Sequence, residues 1–286
     1  MPRLRLIILT SGADEDYRSS TGRDGKLHQM RLVRLATPCL LLLVLLGCSA
    51  PAPKQPAASK KESVPEFFHV DAATAGVLKG SIRFAGKRPV RKSIDLSSDP
   101  ACVEAHKGKA IDESIVVNPN GTLANVFVYI KSGLEGKQFE VPQTPVIFDQ
   151  RGCWFQPRVL GLQTGQVLRI VNSDPVTHNV HPMAQLNREW NHSQGAGDEP
   201  LDRKFLRPEV MIPVKCNIHS WMHAYIGVVA HPYFAVTGAD GTFEIRNVPP
   251  GDYVIEAWQE KMGTNEQKLT VPPRGEIDAS FTFKGE

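Results

Sequence analysis

The chain has 286 residues, 41% of them hydrophobic and 22% charged, a composition that excludes wholesale disorder. Its formal net charge of +3 comes from 33 basic and 30 acidic side chains. Residues 1–47 hold seven of the basic and four of the acidic ones, so the rest of the chain carries 26 of each. Because this remainder is formally neutral, the basic balance gives no reason to expect a nucleic acid partner.

The first distinctive segment is the apolar run LATPCLLLLVLL at residues 35–46, which is shorter than the about 20 residues of a membrane span. Arg31 and Arg34 precede it and small residues follow it, a pattern typical of a secretory signal. Residues 45–48 (LLGC) resemble the lipobox of bacterial lipoproteins. The resemblance implies lipidation at Cys48 and anchoring in the periplasm or at the outer cell surface. An ordinary signal peptide with a coincidental cysteine is the alternative.

The leader also sets the first boundaries along the chain. Met30 opens the signal peptide better than Met1 does, so residues 30–47 are interpreted as the signal. Residues 1–29 are then a mis-start or an extension. Residues 48–75 are rich in Ala, Pro and Lys without apolar periodicity, which predicts a flexible tether.

The body of the chain is predicted to be all-β. Short β-branched or alternating runs recur, separated by Gly, Pro, Asn and Asp turn signals. These runs are 80–84, 125–130, 145–148, 166–171, 209–214, 224–229, 242–245, 253–258 and 279–283. No capped helix of three turns is found after the leader, so we expect one or two β-sandwiches. The polar stretch 186–207 is expected to be the least ordered part of the body.

Three cysteines remain after the leader and the lipidation site are set aside: Cys102, Cys153 and Cys216. An odd number in an oxidising compartment leaves one thiol unpaired. We expect a Cys102–Cys153 disulfide and a free Cys216 that carries chemistry. The alternatives are two further free buried thiols, or a bridge from one of them to Cys216.

One loop carries the clearest chemical signal. Residues 215–222 (KCNIHSWM) place Cys, His and Met at Cys-x-x-His-x-x-Met directly after the strand 209–214. Soft sulfur donors favour copper, and two His, one Cys and a distant Met form the blue-copper electron-transfer set. The second histidine is available at His178, in NSDPVTHN after the strand 166–171.

These motifs, in this order, resemble the cupredoxins over residues 142–231. The short His-to-Met spacing is more similar to amicyanin than to plastocyanin. The resemblance implies a Greek-key sandwich with one type 1 copper ion, a weak axial Met222, and Asn179 hydrogen-bonded across to the cysteine loop. The implied equatorial ligands are His178, Cys216 and His219.

Other donors and other metals compete with this interpretation. His181 lies three residues after His178, so on an extended segment it points to the opposite face. His192 and His223 are interpreted as surface or outer residues, and His231 as structural. A zinc site with the same Cys and His residues is one alternative, and a buried thiol without any metal is another.

The flanking regions carry a second resemblance. Residues 237–243 (TGADGTF) and 249–253 (PPGDY) are similar to the turns of carboxypeptidase regulatory-like domains, and residues 76–82 fit the opening strand of that transthyretin-like sandwich. We therefore predict residues 76–140 and 233–286 as two parts of one sandwich, with a copper domain at 141–232 inserted between them. A tandem of two domains is the alternative.

The whole chain resembles the bacterial cupredoxin-like lipoproteins labelled methylamine utilisation proteins. The predicted function is an exported, membrane-anchored blue-copper protein that passes single electrons between redox partners. It is not predicted to be an enzyme, and no small-molecule substrate is identified. The partner is expected to dock at an apolar patch around the edge of His219, formed by Pro182, Met183, Trp221 and Met222. The alternatives are copper binding or delivery without redox turnover, and a surface β-sandwich with a structural metal site.

Overall fold

The computed structural model describes residues 66–107 and 109–285. The predicted signal peptide, the lipidation site at Cys48 and most of the predicted tether lie outside the described residues. Within that described part, no helix is long and apolar enough to cross a membrane.

The described chain is built almost entirely of strands. The first group comprises β1 (Gly76–Ala85), β2 (Phe127–Ser132), β3 (Val146–Arg151), β4 (Trp154–Gln156), β5 (Val159–Gln163), β6 (Leu168–Asn172), β7 (His178–Pro182), β8 (His192–Gln194) and β9 (Leu201–Arg203). The second group comprises β10 (Glu209–Lys215), β11 (His223–Val229), β12 (Phe234–Val236), β13 (Thr242–Val248), β14 (Gly251–Gln259), β15 (Gly263–Val271), β16 (Glu276–Asp278) and β17 (Phe281–Lys284). One short helix, α1 (Pro100–Ala105), lies between β1 and β2.

Strands from both ends of the described chain form one pair of sheets, here called the terminal sandwich. One sheet has the order β13-β1-β16, with β17 also paired to β1, and the other has the order β12-β2-β14-β15. Alternate residues of β14 point inward, so Tyr253, Ile255 and Ala257 are buried. They pack with Leu78 and Ile82 of β1 in a single apolar cluster between the sheets.

Strands β3 to β11 form a second pair of sheets, here called the central sandwich. Its sheets have the orders β5-β11-β10-β7-β8 and β4-β3-β6-β9. Phe148 and Ile170 from one sheet meet Ile212 and Ile226 from the other in a second apolar cluster. In chain order the central sandwich therefore lies between β2 and β12.

The two sandwiches meet where two glycines make room for one aromatic ring. Gly161 of β5 and Gly227 of β11 are paired in register. A Cβ atom at either position would lie 2.7 or 2.5 Å from the ring of Phe127 in β2, so glycine is needed for this close approach. Nearby, Arg158 and Glu260 form a bidentate ion pair with N···O distances of 2.7 and 3.0 Å. These contacts fix the sheet that carries the cysteine loop against the terminal sandwich.

The all-β class with sandwich-like sheets is confirmed, since each predicted run overlaps an observed strand. The stretch 186–207 is more regular than expected, because it contains β8 and β9, which pair with β7 and β6. Several short or polar strands had no prediction, among them β5, β7 and the edge strand β15. The division of the chain into separate domains stays a prediction.

His231, between β11 and β12, is held as a neutral imidazole. Its Nε2–H donates to the Ile130 carbonyl at 2.9 Å, and its Nδ1 accepts from the Tyr233 amide at 3.2 Å. Burial lowers the pKa of His231 to about 4. The unfolded chain takes up this proton below a pKa of about 6.5, and the folded chain only below about 4, so acid favours the unfolded state.

We expect the free energy of unfolding to fall by about 3 kcal/mol more between pH 6.5 and pH 4 in the wild type than in His231→Gln, because only the wild type has this depressed pKa. The measurement is denaturant unfolding at a series of pH values, with the exposed His69→Gln as the matched control. Equal pH dependence in the wild type and His231→Gln would contradict this account.

Candidate metal centre

Three soft or borderline donor side chains converge at one end of the central sandwich. One nitrogen of His178, one nitrogen of His219 and the sulfur of Cys216 all lie within 4.8 Å of one another. His178 is fully buried, and Cys216 and His219 are only 2% and 3% exposed. Cys216 is the one free cysteine among the described residues. The site thus collects a thiol and two imidazoles out of contact with water.

The loop between β10 and β11 brings Cys216 and His219 together. The Cys216 amide donates to the Met222 carbonyl at 3.2 Å, and the Met222 amide donates to the His219 carbonyl at 3.0 Å. These bonds close a tight loop in which the three residues share one end of the sheet. The Met222 side chain is fully buried and belongs to the same apolar cluster as Cys216.

Asn179 links β7 to this loop from the opposite side. Its side-chain oxygen accepts from the Asn217 amide at 2.6 Å and from the Cys216 thiol at 3.3 Å. The backbone amides of Asn179 and His219 each donate to the Cys216 sulfur at 3.4 Å. Two amide donors directed at one sulfur stabilise its thiolate form.

Each histidine of the site also has a carboxylate partner on its outer nitrogen. His178 Nε2 lies 2.9 Å from an oxygen of Asp174, and His219 Nε2 lies 3.0 Å from an oxygen of Asp99. Burial alone would raise the pKa of both aspartates, but hydrogen bonds from the histidines and from backbone amides hold each pKa below its ordinary value. Both carboxylates are therefore ionised and can only accept, so each Nε2 carries the proton.

Asp174 is itself anchored by the hairpin turn between β3 and β4. Its two oxygens accept from the amides of Gly152 at 2.6 Å and Cys153 at 2.7 Å. Both turn residues have positive φ, 64° and 54°, as a two-residue hairpin turn requires. Cys153 is joined to Cys102 of α1 by a disulfide across 51 positions of sequence. The turn and the helix are thus covalently linked beside the site.

The protonated outer nitrogens determine what the inner nitrogens can do. The Nδ1 atoms of His178 and His219 lie 2.9 Å apart, and His219 Nδ1 lies 3.9 Å from the Cys216 sulfur. In neutral imidazoles with Nε2–H, both Nδ1 atoms present lone pairs, which repel each other unless a cation or an extra proton lies between them. The residues therefore fit a metal ion that accepts imidazole nitrogen and thiolate sulfur.

The pKa values of the donors follow the same electrostatics. Burial would lower the pKa of His178, but hydrogen bonds to Asp174 and Cys216 raise it to about 9. Burial would raise the pKa of Cys216, but His178 and the surrounding backbone amides lower it below its ordinary value. The protein environment alone thus favours a thiolate beside a positive charge, the arrangement that a bound cation would satisfy.

The structure keeps the rival histidines out of this cluster. His181 bonds to Glu189 on the outer face of β7 at 2.5 Å. His192 and His223 are exposed at the beginnings of β8 and β11. None of the three shares a potential metal cluster with Cys216 among the described residues.

Sequence reasoning missed the two carboxylates. Asp174 lies four residues before His178 within the same motif, but this spacing alone does not indicate that the two side chains meet. Asp99 is far from the ligands in sequence and gave no signal beyond an Asp-Pro pair, which here begins α1 with Asp99 as the N-cap.

The side chains of the expected docking patch are mostly buried in the structure. The edge of His219 is not exposed, because Asp99 lies on its Nε2 and leaves the ring only 3% accessible. Met222 is fully buried and Pro182 is buried as well. Only Met183 and Trp221 remain half-buried, and the Trp221 ring lies 5.1 Å from that of His219.

Comparison with known proteins finds partial structural likenesses. No protein-family model and no curated protein matches the sequence. A copper-containing nitrite reductase from Thermus scotoductus SA-01 matches with 23% identity and a TM-score of 0.28, over 34% of this chain and 24% of that chain. The chain thus spans about a quarter of that reductase.

Two further structures match over most of their own length. An oxidized amicyanin mutant has 17% identity and a TM-score of 0.27, over 35% of this chain and 97% of that chain. A purple cupredoxin from Nitrosopumilus maritimus has 20% identity and a TM-score of 0.23, over 26% of this chain and 81% of that chain.

Asn179→Ala tests the link between β7 and the cysteine loop. It removes the acceptor of the Asn217 amide, so we expect the metal-free protein to lose about 1–3 kcal/mol of unfolding free energy. Denaturant unfolding measures this loss, with Ser193→Ala, an exposed residue paired with Asn179 across the strands, as control. A loss no larger than in that control would contradict the assigned role.

Proposed function

We propose that the chain binds one copper ion in a type 1 site and carries single electrons. His178, Cys216 and His219 would hold the ion, with the Met222 thioether as a weaker fourth ligand. The observation that carries this proposal is the pair of Nδ1 atoms that face each other at 2.9 Å beside the Cys216 thiol. Carboxylates on both Nε2 atoms leave those two nitrogens free for a metal.

The donor types favour copper over other ions. One thiolate and two imidazoles, with a buried thioether in the same loop, suit a soft or borderline metal. A catalytic zinc site needs a position open to water, whereas the three donors here are at most 3% exposed. This burial supports an ion that stays in place within the protein.

The same burial separates electron transfer from copper delivery. Delivery requires that a partner's ligands reach the ion and replace the donors one by one. Electron transfer requires only a short path to the surface and donors that move little. Bound copper would supply the redox couple, since it can change between Cu(I) and Cu(II). The chain's contribution is a site held by hydrogen bonds on both outer nitrogens and on the sulfur, which limits rearrangement.

Export and membrane anchoring complete the proposal. The signal-like segment at 30–47 and the lipobox-like residues 45–48 support lipidation at Cys48. A tether at 48–75 would then separate the folded part from the membrane, in the periplasm or at the outer cell surface. We propose that the terminal sandwich has a carboxypeptidase regulatory-like fold and acts as a spacer. The proposed partner is a one-electron redox protein.

We expect the purified full-length protein to develop an intense blue absorption band and narrow copper hyperfine splitting on addition of Cu(II). Both features arise from a thiolate bound to copper, so they should disappear in Cys216→Ser. Visible and electron paramagnetic resonance spectra provide the measurement, and His181→Ala is the control, because His181 lies outside the cluster. A wild type without the band, or a band that survives Cys216→Ser, would contradict the proposal.

A further inference from the structure

The two carboxylate–histidine pairs are attached to opposite ends of the same disulfide. The Cys153 amide donates to Asp174 at 2.7 Å, and the Cys102 amide lies 3.4 Å from the oxygen of Asp99. The backbone amide of each disulfide-bonded cysteine therefore points at one of the two aspartates. Asp174, beside Cys153, accepts from His178, and Asp99, beside Cys102, accepts from His219. Donor atoms of Asp99, Cys102 and His219 lie within 4.8 Å of one another, as do those of Cys153, Asp174 and His178.

We propose that the Cys102–Cys153 disulfide is a positioning element of the metal site. It closes a ring that passes from His178 through Asp174 to the β3–β4 turn, across the disulfide to α1, and back through Asp99 to His219. The inference rests on the proposed function, because the ring matters only if His178 and His219 hold a metal. Its new content is that the orientation of the His219 imidazole depends on a bond between two residues that touch no metal.

The Asp99 side of the ring depends most on this bond. Helix α1 has only six residues, too few to be stable alone in water. One oxygen of Asp99 caps that helix through the Ala101 amide at 2.9 Å, while the other receives His219. Apart from the disulfide, a bond between His106 and the Gly152 carbonyl ties the helix to the turn.

The Asp174 side of the ring has independent support. Asp174 accepts from both turn amides, and its own amide donates to Asn172 at 3.0 Å. Loss of the disulfide should therefore release Asp99 and uncover His219 while His178 stays in place. The Trp221 Nε1–H donates to the Cys153 carbonyl at 3.2 Å, which also connects the β3–β4 turn to the loop that carries Cys216 and His219.

A purely structural disulfide would behave differently. It would lower the free energy of unfolding when removed, but the folded protein would hold its metal as before. A positioning disulfide changes the metal site within the folded protein. The two roles are separated by measuring copper loss under conditions in which every variant is folded.

The first experiment measures copper transfer from the loaded full-length protein, reduced with ascorbate, to excess bathocuproine disulfonate. We compare the wild type with Asp99→Ala and with the double variant Cys102→Ser/Cys153→Ser. Both should lose copper about 10- to 100-fold faster, the usual effect of removing support from a metal-ligating histidine. Asp95→Ala, an exposed aspartate in the same loop that caps only the Ser97 amide, should match the wild type.

The second experiment needs no metal. In the ¹⁵N–¹H spectrum of the metal-free protein, the Nε2–H of His219 should exchange slowly in the wild type and rapidly in both variants. A folded double variant with the wild-type copper-transfer rate and a protected His219 Nε2–H would overturn the inference. If the double variant does not fold, wild-type behaviour of Asp99→Ala overturns it instead. A wild type that binds no copper refutes the proposed function, and the proton-exchange result then still decides whether the ring positions His219.

Discussion

The hydrogen bonds from His178 to Asp174 and from His219 to Asp99 determine the chemistry of the site. An ionised carboxylate only accepts, so each bond fixes the proton on the outer nitrogen and leaves a lone pair on the inner one. The two inner nitrogens face each other at 2.9 Å beside the Cys216 thiol, where one shared proton or one cation relieves the repulsion between their lone pairs. Without the carboxylates, nothing in these hydrogen bonds would fix the proton of either imidazole on its outer nitrogen.

The fold supplies this constraint from three separate parts of the chain. The β3–β4 turn places Asp174, the β10–β11 loop places Cys216 and His219, and α1 brings Asp99 from the segment that precedes the central sandwich. The terminal sandwich contributes by packing Phe127 against Gly161 and Gly227, which fixes the sheet that carries the cysteine loop. Burial and covalent linkage therefore act together to make a closed site.

Much of the fold was predictable because strand periodicity and turn residues are local signals. The run at 253–258 is almost continuously apolar, with Glu256 its one charged residue, and it lies within β14, which buries Tyr253, Ile255 and Ala257. The polar edge strand β15 had no such signal, because only one side of it is partly covered. The Cys-x-x-His-x-x-Met motif was also predictable from local sequence, since Cys216, His219 and Met222 lie within seven residues. The carboxylates were not predictable in the same way: the contact of Asp99 with His219 spans 120 positions and depends on how α1 packs.

The same contact bears on the electron transfer that we propose. The resemblance to the cupredoxins implied an exposed His219 edge, whereas in the structure a carboxylate of Asp99, whose side chain is 23% exposed, lies against that edge. X-ray absorption at the copper edge of the loaded full-length protein tests the central claim most directly, because it identifies the atoms bound to the metal. The account predicts one short copper–sulfur bond and two imidazole nitrogens, with the sulfur contribution absent in Cys216→Ser. A spectrum of wild-type protein with only nitrogen and oxygen neighbours would contradict it.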